Sequence, residues 1–381
     1  MQASTTVASE PQTVRPARVR DPRLDFFRGV GMLIILIAHV PFDGWALWIP
    51  ARFGFSDATE MFVFQSGMAS AIAFGGTFDR GGWVPLLARV ARRIWQIYWA
   101  HIAVFVCVVA ILALAGQRPE GGTYLESLNL VPFLKDPAGL LAGLLTLQYV
   151  PNYFDILPMY MVLLALLPVM LAAERIHPLA PMGLVLLLWL AAQAGINLPA
   201  EPWSDRPWFF NPLGWQACFF VGFFLMRGRL PVPPRSRRLV LIALFIVIAT
   251  IPFAWSRLLD SFAPLHDSAL ALLPLTDKTH FGLFRMVHFL ALAYLAVLAA
   301  GPRGSRLTGR VAQVLTVVGQ QSLAVFVTGM VLAQVLGIVL DHMGRDPGAL
   351  AVVNLAGFAI MIGTAYLVRW FKSGETSKAR G

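Results

Sequence analysis

Four polar side chains stand out in residues 23–67 because nearly everything around them is apolar. Arg28 and His39 are eleven positions apart. Eleven residues make almost three helical turns, so both side chains fall on one stripe of one helix. Asp57 and Glu60 are three apart and share a face at the start of the next apolar segment. Ionisable groups inside lipid-spanning helices are expensive and mark function by default. The chemistry available to this set is proton transfer. A carboxylate beside an imidazole sets its tautomer and stabilises the imidazolium, which is what a general base needs to take a proton from a hydroxyl. His39 is the candidate base, with Glu60 and Asp57 as its carboxylate partners. The plainer alternatives are a buried histidine satisfied by a local acceptor, and Asp57 as the N-cap of the second helix.

The elements that must position these groups follow from composition. Of 381 residues, 57% are hydrophobic and 13% charged, against roughly half apolar and a quarter charged in a soluble domain. Mean hydropathy is +0.68. The apolar runs are continuous and long enough to cross a bilayer as helices, and they lack the alternation of a transmembrane barrel. The expected fold is an all-α integral membrane protein, a bundle of about ten helices. Spans are predicted near 26–45, 57–76, 94–115, 154–173, 181–198, 213–227, 238–255, 282–300, 313–340 and 349–371, the ninth tilted or broken near Gly319–Ser322. Segment 138–150 is too short to span and reads as an interfacial or re-entrant helix on the outer side. The domain reading is a disordered cytoplasmic tail over 1–22, a transmembrane domain over 23–372 and a second cytoplasmic tail over 373–381.

Charge orients the bundle. With both termini cytoplasmic, 22 of the 30 Lys/Arg fall inside and 8 outside, whereas 6 acidic residues fall inside and 14 outside. Every sizeable loop then obeys the positive-inside rule. The net charge of +10 is explained by this flanking, not by nucleic acid. Residues 1–22 lack an apolar h-region and no small-residue cleavage site follows the first apolar segment, so that segment is read as a retained helix. Cys107 and Cys218 lie inside apolar segments as fillers, with no disulfide framework and no zinc spacing. No metal is expected.

In this topology Arg28 lies at the cytoplasmic end of the first helix, and His39 lies about 16 Å further along, past the midplane of a core about 30 Å thick. Arg89, Arg92 and Arg93 sit within one turn and its edge on the cytoplasmic side. Planar guanidinium groups bind phosphate through paired hydrogen bonds, and arginines there also anchor spans and touch anionic lipid. At the outer mouth of the fourth span, Asn152, Tyr153 and Asp155 suit sugar hydroxyls, or form a turn within an interfacial aromatic belt. Trp215 and Gln216 lie on the same side. His288, about a turn into the eighth span from outside, is placed to face the same cavity as His39 or to be a satisfied core histidine. Gly67, Ala71 and Gly75 form a ridge of small residues that lets another helix approach closely.

These residues carry a resemblance. The run Arg23-Leu-Asp25-Phe-Phe-Arg28-Gly29, with ten residues between Arg28 and His39, resembles the first-helix signature of the membrane-bound acyltransferase type-three superfamily. Phe62-Val-Phe64-Gln-Ser66-Gly67 is similar to its phenylalanine-rich Ser-Gly segment, and Arg89 and Arg92 to its Arg-x-x-Arg element. Gln65 departs from the apolar residue expected before Ser-Gly. Four further stretches resemble the OpgC family: Gly54-Phe-Ser-Asp57-Ala-Thr-Glu60, Leu147-Gln-Tyr-Val-Pro-Asn152-Tyr-Phe-Asp155-Ile-Leu-Pro158, Phe210-Asn211-Pro-Leu-Gly-Trp215-Gln216 and Arg285-Met-Val-His288-Phe.

The resemblance implies a ten-helix enzyme of the bacterial inner membrane that moves an acyl group from cytoplasmic acyl-CoA to hydroxyls of an osmoregulated periplasmic glucan. Succinyl, from succinyl-CoA, rests on the resemblance alone. The donor is a substrate and no cofactor is permanently bound. The partners are acyl-CoA, the glucan and the lipid bilayer, with a second copy of the chain left open. On this reading Arg28, Arg89, Arg92 and Arg93 take the CoA phosphates, His39 with Glu60 and Asp57 does the chemistry, and Asn152, Tyr153, Asp155, Trp215, Gln216 and His288 meet the acceptor. Direct transfer and a transient acyl-histidine are both open. A proton-coupled exporter with His39 and Glu60 as a relay is the competing function. It lacks support from internal repeats or paired interrupted helices.

Overall fold

The computed structural model describes residues 21–378. Residues 1–20 and 379–381 of the expected tails lie outside the described residues. Regular structure among the described residues is helical, apart from two isolated bridges, Gln117 to Thr123 and Pro199 to Pro207.

Helix α1 runs Pro22–His39, with Asp21 as N-cap and proline in its first turn. It stops six residues short of the predicted 26–45, and the cause is local: Pro41 pushes the residue before it out of the helical region, and Val40 is extended at φ −68°, ψ 117°. His39 is therefore the last residue of the helix, at its mouth. After a loop with two short 3₁₀ turns, α2 runs Ala58–Ser70. A π-helical turn, Ala71–Gly75, carries it on to Gly81, as one apolar rod. Helix α3, Trp83–Ala115, begins eleven residues before the predicted start at 94, so Arg89, Arg92 and Arg93 lie on the helix itself.

Segment 138–150 forms only α4, Pro137–Leu145. Nine residues reach about 14 Å, too little to cross a bilayer. The Tyr98 hydroxyl donates to its Leu145 carbonyl at 2.9 Å, seating α4 against the middle of α3. Next come α5, Ile156–Ile176, α6, Ala180–Gln193, α7, Pro212–Met226, and α8, Arg237–Thr250. A run of short helical turns over 251–276 leads to α9, Leu283–Ala300. The predicted break in the ninth span falls at Gln321, between α10, Gly309–Gln320, and α11, Ser322–Met343. Helix α12, Pro347–Lys378, continues through most of the expected C-terminal tail.

Among the described residues six helices are long and apolar enough to cross a membrane: α2 with its extension, α3, α5, α9, α11 and α12. Helix α1 falls outside that set because Arg23, Asp25 and Arg28 crowd its first two turns. Large apolar side chains are exposed on α8 (Leu241, Phe245, Ile248) and α12 (Leu355, Leu367, Trp370). A surface of that kind is a liability in water and is natural against lipid; the chain is built as a multi-pass membrane protein.

Small residues set the closest packing. A Cβ at Gly29 would lie 1.9 Å from the Leu315 carbonyl oxygen, and one at Gly319 1.8 Å from that of Asp25, so α1 and α10 meet backbone to backbone. The predicted small-residue ridge works in the same way: a Cβ at Gly67 would lie 1.9 Å from the Phe219 carbonyl oxygen on α7. Close approach of this kind favours van der Waals packing where lipid removes the hydrophobic drive. It also locks α2, and the acidic residues at its start, to the core.

Candidate functional site

The start of α2 is a capping box. Asp57 accepts from the Thr59 amide at 2.6 Å, and Glu60 Oε2 accepts from the Asp57 amide at 2.7 Å. Both carboxylates then reach across to the approach and first turn of α9. Arg285 Nε donates to Glu60 Oε1, and its Nη2 reaches Asp57 Oδ2 at 3.3 Å. Lys278 Nζ donates to the same Asp57 oxygen at 2.5 Å. Glu60 is fully buried and Arg285 is 8% exposed. At Asp57, burial pushes the carboxyl pKa up, but the Lys278 and Arg285 charges outweigh it and hold the group well below the usual carboxylate range. The result is a cluster of two acids and two bases, buried except at Lys278, whose side chain is 28% exposed.

The carboxylate that the sequence reading set beside His39 is thus paired with Arg285. The sequence placed both at matching depth but could not show that Glu60 has a cation of its own. His39 Nδ1 instead meets the Ile35 carbonyl oxygen of its own helix at 2.7 Å. A carbonyl only accepts, so Nδ1 carries the proton and Nε2 is left as the basic nitrogen. The ring stacks edge-on to Tyr153, with centroids 5.3 Å apart. Lys278 and Asp57 lie close enough for their charges to act on the ring. Tyr153 is held in a left-handed backbone conformation, φ 86°, a strain of about 1–3 kcal/mol for a non-glycine residue. Its hydroxyl donates to the Met330 carbonyl on α11 at 2.5 Å, which fixes the ring over His39.

Towards the other end of α1 lies a cavity of about 700 Å³. Arg28, Arg89, Arg92 and Arg93 all line it, joined by Ser66, Ser70 and Gln96. The structure thus brings the four predicted arginines around one space. Arg28 is anchored by its Nη2 on the Gln65 carbonyl at 3.0 Å, and Arg89 by its Nη1 on the Thr77 hydroxyl at 2.8 Å. Leu157, Tyr160 and Phe326 close the inner wall. Leu157 is four residues from Tyr153, and Phe326 is one helical turn from Met330, so the cavity ends close to the aromatic cover of His39.

The expected acceptor residues separate. Asn152 is exposed and takes a hydrogen bond from Arg206 Nη1 at 3.1 Å. Asp155 is buried, accepting from the Phe209 amide at 3.2 Å, and burial pushes its carboxyl up to about 6. Trp215 and Gln216 are fully buried. Trp215 Nε1 donates to the Lys278 carbonyl at 2.9 Å, and Gln216 Nε2 to that of Val185 at 2.8 Å. Asp155 Oδ1, Trp215 Nε1 and Gln216 Nε2 thus serve backbone groups inside the fold, whereas the buried Gln216 Oε1 has no partner among the described residues. His288 has neighbours of its own in the loop before α2. Its Nδ1 meets the Ser56 hydroxyl at 2.7 Å, its ring lies by Phe55, and it sits so close to Gly54 that a Cβ there would be 2.3 Å from Nε2.

Sequence reasoning missed Lys278 and gave Arg285 no role. A signal existed for both: two carboxylates inside apolar segments require cations at similar depth, and Lys278 and Arg285 flank the outer end of the eighth predicted span.

A multi-pass helical membrane protein with an arginine-lined cavity and a histidine beyond its inner wall is the class that fold and site define. Within that class, the chain belongs to the OpgC family: residues 20–373 match the family model described as "OpgC protein". No curated protein and no solved structure matches the chain. Membership of the family suggests an acyltransferase.

Proposed function

We propose that the protein is a membrane O-acyltransferase of the bacterial inner membrane that transfers an acyl group, succinyl on the family resemblance, from cytoplasmic acyl-CoA to hydroxyls of a periplasmic glucan. The observation that carries this reading is the cavity: four arginines surround a space large enough for a phosphate-rich donor, and its inner wall lies next to the cover of His39. Ten spans would be α1, α2, α3, α5, α6, α7, α8, α9, the broken pair α10–α11, and α12, with both termini cytoplasmic. The donor's phosphates would then rest on Arg28, Arg89, Arg92 and Arg93, and its pantetheine arm would run along α1, over the roughly 16 Å from Arg28 to His39.

In the reaction, His39 Nε2 takes the proton of the acceptor hydroxyl as its oxygen bonds to the thioester carbonyl carbon. The carbon–sulfur bond breaks, and the CoA thiolate leaves and takes the proton from the imidazolium. The Nδ1–H bond to the Ile35 carbonyl holds the tautomer and stabilises the charged ring. The surrounding helices keep water from the thioester.

The test uses the full chain in lipid nanodiscs. His39→Ala is expected to fold, to be stabilised thermally by succinyl-CoA as the wild type is, and to lose about 10²–10⁴-fold in transfer. Arg92→Ala/Arg93→Ala is expected to lose the thermal stabilisation by the donor. Near-normal glucan acylation by His39→Ala overturns the mechanism.

A further inference from the structure

A donor whose acyl chain ends in a carboxylate brings a negative charge to His39, and the arginines of the cavity are too far away to meet it. Lys278 is a cation whose charge reaches His39; Arg285 shares its partner Asp57, and Arg345 is held by the Pro41 and Phe42 carbonyls and by Asp341. Arg285 is committed, with Nε on Glu60 and Nη2 on Asp57, and is 8% exposed. Lys278 is not. Its ammonium has three donor protons, and among the described residues a single hydrogen bond, to Asp57 Oδ2, uses one of them. Asp57 keeps other donors besides Lys278, since Oδ2 also receives Arg285 and Oδ1 receives the Thr59 amide. The Lys278 side chain is 28% exposed, so its remaining donors can reach a ligand.

The backbone beneath this lysine is fixed to an unusual degree for an irregular segment. The carbonyls of Lys278, Thr279, His280 and Phe281 accept in turn from Trp215 Nε1 at 2.9 Å, the Asn211 amide at 3.0 Å, Gln193 Nε2 at 2.7 Å and Trp189 Nε1 at 2.9 Å. The rings of Phe209 and Phe210 flank the ammonium at 5.9 and 5.6 Å. They restrict its swing and partly strip its water, which strengthens any ion pair it makes. A partly exposed cation with unused donors, on a pinned segment and within electrostatic reach of His39, is suited to hold an anion.

We propose that Lys278 is the residue that selects acyl donors ending in a carboxylate, its outward N–H groups holding that carboxylate while the thioester carbon lies at His39. The proposal rests on the acyl-transfer reading of the His39 site. It gives Trp215 and Asn211 a role in positioning the lysine.

The test compares succinyl-CoA with butyryl-CoA, which has the same chain length and a methyl group in place of the carboxylate, on the full chain in nanodiscs. The wild type is expected to prefer succinyl-CoA. Lys278→Met is expected to lose about 30-fold or more in kcat/KM with succinyl-CoA and less than about 3-fold with butyryl-CoA. Lys278→Gln should behave like Lys278→Met, and Lys278→Arg should restore the preference for succinyl-CoA. Equal losses with both donors in the Met and Gln variants would overturn the proposal, because the cation would then serve the thioester oxygen or the fold. A wild type that prefers butyryl-CoA would also overturn it. If the wild type transfers from neither donor, the acyl-transfer reading itself fails, and the proposal with it.

Discussion

Arg285→Met tests the buried charge cluster directly. Methionine keeps the apolar stem of the side chain and removes the guanidinium. Glu60, with 0% exposure, would then keep only the Asp57 amide on Oε2 as a hydrogen-bond donor to its carboxylate. Breaking a buried ion pair from one side costs about 3–5 kcal/mol. Lys278→Met should be far milder at about 1 kcal/mol, because Asp57 keeps Arg285 and the Thr59 amide and its loss is that of a single hydrogen bond. Glu60→Gln removes the charge that needs a partner, so adding it to Arg285→Met should recover stability: the double variant leaves Asp57 with Lys278 and strands no buried charge. The coupling between the two sites should be about 2 kcal/mol or more. Reversible unfolding in detergent micelles, followed by intrinsic tryptophan fluorescence, measures all four proteins. An Arg285→Met variant within about 0.5 kcal/mol of wild type, or strictly additive losses in the double variant, would refute the assignment of Arg285 as the counter-ion of Glu60.

Two further outcomes follow from single positions. Asp155 has a folded pKa of about 6 against 3.8 for the free group. The folded state therefore binds its proton more tightly, and the contribution to stability is full below about pH 3.8, falls as pH rises to about 6 and is flat above. Asp155→Asn keeps an oxygen for the Phe209 amide, so it should remove that fall and stabilise the protein at pH 7.5 by up to about 3 kcal/mol; unfolding midpoints at pH 4.5 and 7.5 that move in parallel for variant and wild type would show otherwise. Gly67→Ala should destabilise by about 2 kcal/mol or more, because the new Cβ meets the α7 backbone at 1.9 Å and neither helix can give. Gly183→Ala, with nothing within 4 Å of the new Cβ, should be neutral or stabilising by up to about 1 kcal/mol; thermal scans that show equal effects would refute the close packing of α2 on α7.

Composition and periodicity alone determined that the chain is helical and built for a membrane, where most apolar helices lie, that 138–150 is too short to span and that the ninth span tilts or breaks near Gly319–Ser322. They also put Arg89, Arg92 and Arg93 within one turn and its edge, just ahead of the third predicted span, and Arg28 and His39 on one stripe. These are local properties: hydropathy and a 3.6-residue repeat say which face a side chain occupies. The end of α1 was equally local, since Pro41 stands two residues after His39, yet hydropathy alone carried the predicted span past it.

Tertiary structure decided which faces meet. Glu60 has its cation 225 residues away on α9, and nothing in the spacing of Asp57, Glu60 and His39 distinguishes a carboxylate available to the imidazole from one already neutralised. Trp215 and Asp155 looked like ligands because their residue types suit sugars, but each has its polar atom turned inward to a backbone group that only the folded chain supplies. Lys278 is the converse case. A lysine in a loop is unremarkable in sequence, and it becomes a placed charge only when α6 and α7 hold the carbonyls of its segment and bring it beside Asp57 and within reach of His39.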